Sequence, residues 1–239
     1  MNQASRSAQF GWYASIISLV LLIAGPLSHK IGLAPFFVGF ILLSIAVLLS
    51  LIVVVMGALS LRKSANPANR ATLRLASILA LPALIMTAVI LGGGRGAVLT
   101  HDISTDTQNP PQFVAAIAER GEKSNPVDFT SEEAELQQQG YPDIKPIRTP
   151  LDSKAAFARA LKIAEAAGWE IYAKDENSGV IEGVASTLFF GFKDDIIIRV
   201  AASDNGSTVD IRSVSRVGKG DMGANAKRVR MFIEQFSTP

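Results

Sequence analysis

No cysteine occurs in the 239 residues. That excludes disulfides, thiolate nucleophiles, iron–sulfur clusters and cysteine zinc sites. Histidine occurs only at His29 and His101, so one imidazole lies beyond residue 100. No Gly-x-Ser-x-Gly elbow accompanies the serines, and no acid or histidine spacing matches a metal loop. Neither a metal nor a cofactor is expected. Acid is missing from the first 99 residues: all 21 Asp and Glu come later, while that first stretch carries Arg6, Lys30, Arg62, Lys63, Arg70, Arg74 and Arg95. The remainder holds sixteen bases against 21 acids, a net charge of −5. The pI near 8.9 therefore describes neither half and is no nucleic-acid signal.

The acid-free part, residues 1–99, contains three long uncharged runs, at about 11–27, 35–61 and 75–92. Each approaches or exceeds the roughly 20 apolar residues that a spanning helix requires. Charge is excluded from such segments because ions are costly in hydrocarbon. Trp12 and Tyr13 suit the headgroup level, and Pro82 predicts a kink in the third run. The first run reads as a spanning helix rather than a cleaved leader, because no clean small-x-small site follows before His29 and Lys30. Between the second and third runs lie Arg62, Lys63, Arg70 and Arg74. The positive-inside bias predicts that this loop and the N-terminus face the cytoplasm. The rest of the chain then lies outside it, in the periplasm of a Gram-negative cell. The expectation is a multi-pass protein of the inner (cell) membrane, with the lipid bilayer as its first partner.

Residues 100–149 read as an extended linker with short helices. Asp102 and Asp106 predict local Asx turns. "TSEEAELQQQG" predicts a helix with Thr130 as N-cap, Glu133 completing a capping box and Gly140 as terminator. Residues 150–239 carry the compact pattern. "LDSKAAFARALKIAEAAG" predicts a helix capped by Asp152 or Ser153. "WEIYAK", "VIEGVASTLFF", "DDIIIRVAA" and "STVDIRSVSRV" predict four strands. A closing helix follows Asp221, its buried face built from Met222, Ala226, Val229, Ile233 and Phe236. The fold class is α+β: an antiparallel sheet of about four strands with helices on one face. Asn205-Gly206 predicts a two-residue hairpin loop. That register sets Val200 against Ile211, Asp195 against Arg216, and Arg199 against Arg212. The last pair is repulsive unless an acid or anion lies between. Adjacent Asp194 and Asp195 point to opposite faces of their strand and do not share a site.

The run "RSVSRVGKGDMGANAKRVR", residues 212–230, concentrates charge and glycine. One reading is an anion or partner site built from Arg212, Arg216, Lys219, Asn225 and Arg228, with the glycines admitting backbone N–H groups. The other is internal: Arg216 pairs Asp195, Gly218 and Gly220 form the turn, and Asp221 caps the helix. Ser213 and Ser215 read as satisfied hydroxyls of the core. "STDTQNPPQF", "YPDIKPI", "AFARALKIAEAAGWEI", "FGFKDDIIIRV" and the last block from Val209 onward resemble the family called domain of unknown function 1499, over about residues 103–236. The resemblance implies a bacterial or plastid-derived protein, often membrane-attached, and no assigned activity. The preferred functional expectation is a non-catalytic binding or assembly module for a membrane protein or an anionic lipid or ligand. Its rival is an envelope hydrolase whose anionic substrate is held by Arg212 and Arg216. Nucleic acid is not an expected partner, since the bases lack interleaved aromatics.

Overall fold

The computed structural model describes residues 3–238. The chain divides into two compact units, Met1–Gly93 with Leu188–Gly191, and Gly94–Thr187 with Phe192–Pro239.

Three helices make up most of the first unit: α1 (Arg6–Lys30), α2 (Phe36–Lys63) and α3 (Pro67–Gly93). At 25, 28 and 27 residues, all are long and apolar enough to cross a membrane. α1 and α3 begin before the uncharged runs, where side chains cap them. Ser5 accepts from the Ala8 N–H, and Asn66 Oδ1 from the Ala68 N–H at 2.9 Å. Pro67 starts α3, where its missing N–H costs nothing. The buried seams are small: Gly11, Ala14 and Ser18 on α1; Gly39, Ala46, Ser50 and Gly57 on α2; Ala76, Ala80 and Ala83 on α3. A Cβ on Gly25 would stand 2.9 Å from the Gly39 carbonyl oxygen, so the two backbones meet where neither has a side chain. Ser18 and Ser50 share a hydrogen bond of 2.6 Å between α1 and α2. Many larger side chains, such as Leu48 and Ile52, point outward, while Leu43, Val53 and Leu73 are buried.

The second unit is an antiparallel sheet with helices: β1 (Asp102–Ser104), α4 (Ala115–Glu119), α5 (Ser131–Gly140), β2 (Ile147–Thr149), α6 (Ser153–Ala166), β3 (Glu170–Asp175), β4 (Val180–Ser186), β5 (Lys193–Ser203), β6 (Gly206–Ser215) and α7 (Ala224–Ser237). The order is β1-β6-β5-β4-β3, and β2 also pairs with β6. Both strands beyond the expected four come from residues 100–149. They lie end to end along β6, β1 against Arg212–Val214 and β2 against Ser207–Val209. Pattern reading misses them because three residues give too short an alternation. The outer edge of β1 is satisfied by a side chain. Gln137 of α5 accepts from the Ser104 N–H at 2.9 Å and donates to its carbonyl at 2.6 Å.

The β5–β6 hairpin departs from the expected register by two residues. Its loop is Asp204-Asn205, and Ser203 faces Gly206. Gly206 belongs to the strand because β2 passes beside it: a Cβ there would lie 2.2 Å from the Thr149 carbonyl oxygen. In consequence Arg199 faces Asp210, Arg212 faces Ile197, and Asp195 faces Val214. The repulsive Arg199–Arg212 pair does not form.

Ile196, Ile198, Val200, Val209 and Ile211 join Phe157, Ala160, Val229, Phe232 and Phe236 of α6 and α7 in the main core. The α7 face differs from expectation at two points: Met222 is exposed and precedes the helix, and Phe232 is buried while Ile233 is only partly covered. The opposite face of the sheet is covered too. Phe113 and Ala116 pack there on Ile197 and Val214.

Candidate functional site

The Arg212–Arg230 corner sits where β6 leaves the sheet and α7 begins. Its cations divide between the two faces: strand alternation sets Arg212 and, just past the end of β6, Arg216 on one, while α7 carries Arg228 on the other.

Arg212 lies under the 102–129 segment and is 0% exposed. Its Nε and Nη2 form a fork on the Asp102 carboxylate, at 3.0 and 2.7 Å. Nη1 donates to the Pro111 carbonyl at 2.9 Å, and Nη2 also donates to that of Val127. The rings of Phe113 and Phe129 flank the guanidinium, with centroids 5.1 and 5.4 Å away. One side chain thus ties β1, the Pro-rich stretch and the approach to α5 onto the sheet. Burial pushes the Asp102 carboxyl above the usual carboxylate range, against the opposing pull of Arg212. Asp102 was expected to form a local turn and instead makes this ion pair. Asp106 does form one, accepting from Gln108 and Asn109 N–H groups at 3.0 and 2.9 Å.

Arg216 forks onto Asp195 through Nε and Nη2, the latter at 2.7 Å, although the two are not cross-strand partners. Arg120 joins the same carboxylate, and the Tyr172 hydroxyl donates to it at 3.1 Å. Burial lowers the Arg120 pKa, opposed by Asp195. Burial also works to lower that of Arg216, but the hydrogen bonds and charge of Asp195 prevail and raise it. Burial raises the Tyr172 hydroxyl, reinforced by Asp195. Elsewhere on this face Arg199 bridges Asp106 and Asp210, at 3.1 and 2.8 Å. Glu182 accepts from the N–H groups of Val114, Ala115 and Ala116 at the start of α4.

On the helix-covered face, Asn225 is the hub. Its Oδ1 accepts from Ser213 Oγ at 2.7 Å and from Arg228. Its Nδ2 donates to Ser215 Oγ and to the His101 carbonyl, both at 2.9 Å. Arg228 reaches on to Asp194 at 2.7 Å. Asp194 and Asp195 therefore serve opposite faces. Ser213 donates to an amide oxygen rather than to a base. The His101 ring is engaged elsewhere, 3.4 Å from Glu133. Gly218 and Gly223 have positive φ, 88° and 82°, and make the turn possible. The N-cap position is Gly223, not Asp221. The Asp221 carboxylate nonetheless accepts the Gly223 and Asn225 N–H groups, at 2.8 and 2.6 Å. Burial raises its pKa despite those bonds.

The expected residues are thus brought into one corner, but in two internally bonded clusters separated by the sheet. Lys219 stands apart, exposed on the turn, as does Lys227 on the first turn of α7. Among the described residues, no group of three or more His, Asp and Glu has the geometry to hold a metal ion. The residues missed by sequence reasoning, Arg120, Tyr172, Phe113 and Phe129, lack a local signal because their partners lie 23 to 99 positions away in the chain. An open feature lies on the outer side of α6 and α7. It is a trough of about 940 Å³ with Ala155, Ala158, Ile163 and Met231 in its walls and Arg159 and Lys162 among its charged lining.

Residues 102–236 match the family model described as Protein of unknown function (DUF1499). No curated protein matches the chain. The match spans more than half of the sequence, and the chain belongs to that family.

Proposed function

We propose that this member of the DUF1499 family is a membrane-tethered binding module. Its folded domain lies on the periplasmic side of the inner membrane and assembles with a membrane-protein partner. The observation carrying the reading is how the charges at the β6–α7 corner divide. Arg212, Arg216 and Arg228 each have an internal carboxylate. Among the described residues Lys219 and Lys227 have none, and both are exposed. In this reading Arg216, Asn225 and Arg228 brace the corner, and Lys219 offers its charge to an acidic group on the partner. The trough between α6 and α7, apolar in its walls and charged in its lining, has the anatomy of a protein-binding surface. Orientation rests on Arg62 and Lys63, in the last turn of α2, and on Arg70 and Arg74, near the start of α3.

Native mass spectrometry of the intact protein, gently extracted from its own membrane, tests this. The expected result is a stoichiometric additional protein mass that Lys219→Glu weakens. A lipid adduct alone, lost on Lys219→Glu, transfers the corner to headgroup binding and overturns the protein-partner reading. A bare monomer overturns both.

A further inference from the structure

The β4–β5 and β5–β6 hairpins of the sheet end in opposite chemistry. The β5–β6 turn is Asp204-Asn205, the polar, turn-forming kind expected in water. The loop from β4 to β5 is "TLFFGF", residues 187–192, with Leu188 76% and Phe189 59% exposed. We propose that Leu188 and Phe189 insert into the interface of the lipid bilayer, giving the chain a second membrane attachment beyond its three helices.

Three observations carry this. First, the loop is built rather than slack. The Thr187 N–H donates to the Phe192 carbonyl at 2.9 Å, the Phe192 N–H donates to Thr187 Oγ1 at 2.9 Å, and Gly191 takes a φ of 68°. Backbone groups paired within the loop lower the cost of leaving water, and the side chains are held outward before any encounter. Second, Leu188–Gly191 groups with the helical unit. There the Phe190 ring stacks on Phe40 near the start of α2, with centroids 4.9 Å apart, and Lys30 Nζ at the end of α1 donates to the Leu188 carbonyl at 2.9 Å. Helix ends carrying lysine and aromatic rings mark the headgroup level of a spanning helix. Third, Lys193 follows the apolar tip and is itself exposed, which suits a loop that dips only to the interface. The occupant is lipid because the loop shares its unit with the spanning helices, at the depth where their own ends meet the bilayer.

The proposal is independent of the partner reading, since a bilayer contact here neither requires nor forbids a protein at the β6–α7 corner. The absence of native cysteine permits a clean test. Leu188→Cys, Phe189→Cys and, as reference, Asn205→Cys are each labelled with an environment-sensitive fluorophore. The full-length protein is then reconstituted into phosphatidylcholine–phosphatidylglycerol vesicles with and without lipids bearing a quencher high on the acyl chain. All three side chains are exposed, so folding is expected to survive, and the two adjacent tip positions check one another. The expected result is blue-shifted emission, strongly quenched by the labelled lipid, at 188 and 189, and neither effect at 205. Emission at the tip matching that at 205 overturns the proposal. So does a blue shift that the quencher lipid leaves untouched, because protein, not lipid, then covers the loop.

Discussion

On one face of the sheet, Ile196, Ile198 and Val209 meet Phe157, Val229 and Phe232. On the other, Arg212, Arg216, Arg199 and Glu182 meet the carboxylates, carbonyls and N–H groups of residues 102–127. Both faces are buried, but by different means. The helices of the first face bring their own apolar stripes. The covering segment of the second is irregular and Pro-rich, with many backbone polar groups that burial would orphan. Long guanidinium forks and one carboxylate answer that need. The charge of the second face is thus what the covering segment requires, and the concentration of arginine near the C-terminus follows from the topology.

That contrast predicts different responses to substitution. Unfolding of the domain is followed by Trp169 fluorescence, with Trp12→Phe as background. Arg212→Met is expected to cost about 3–5 kcal/mol, because it strands a buried carboxylate. Its loss should depend on pH with a definite sign. Asp102 already has a raised folded pKa, and removing Arg212 raises it further. Such a group contributes stability that is fully present below its unfolded value, near 3.8, and lost as pH rises through the folded value. The defect should therefore shrink on acidification. Phe232→Ala on the apolar face should cost a comparable 3–5 kcal/mol or so through its cavity, with no such pH dependence. A matching pH profile for both variants would erase the distinction between the faces.

Smaller effects sharpen it. Thr130→Ala removes the capping box of α5, the helix that supplies Gln137 to β1, and should cost about 1 kcal/mol. Hydrogen exchange should then rise at the Ser104 amide before it rises in β5. Asp221→Asn keeps an acceptor for the α7 N–H groups and removes a carboxyl whose pKa burial has raised. The wild type should gain on this variant as pH falls toward 4 and lose ground as it rises.

Much of this was legible in the sequence. The three helices long and apolar enough to cross a membrane follow from runs without charge. The cap and capping box at Thr130 and Glu133, the cap at Asp152, the four long strands and both long helices of the domain follow from local patterns, except that β4 ends at Ser186 and the expected continuation through Phe190 is a loop. The opposite allegiances of Asp194 and Asp195 follow from strand alternation alone. What could not be read depends on distant pieces of chain. The two-residue shift at Asp204-Asn205 arises because Gly206 is claimed by β2, arriving from 57 positions earlier in the register at Thr149. Asp102 looked like a turn former because its partner is 110 residues away. Met222 matched the helical stripe but precedes the helix, which starts after the left-handed Gly223.

The arginines of the 212–230 run hold the domain together, and a double-mutant cycle on Arg212 and Asp102 measures this. Arg212→Met alone is expected to destabilise strongly, and adding Asp102→Leu to restore much of the loss, since no charge is left stranded. A domain that tolerates Arg212→Met unchanged, yet sheds a bound partner or anion, would contradict it.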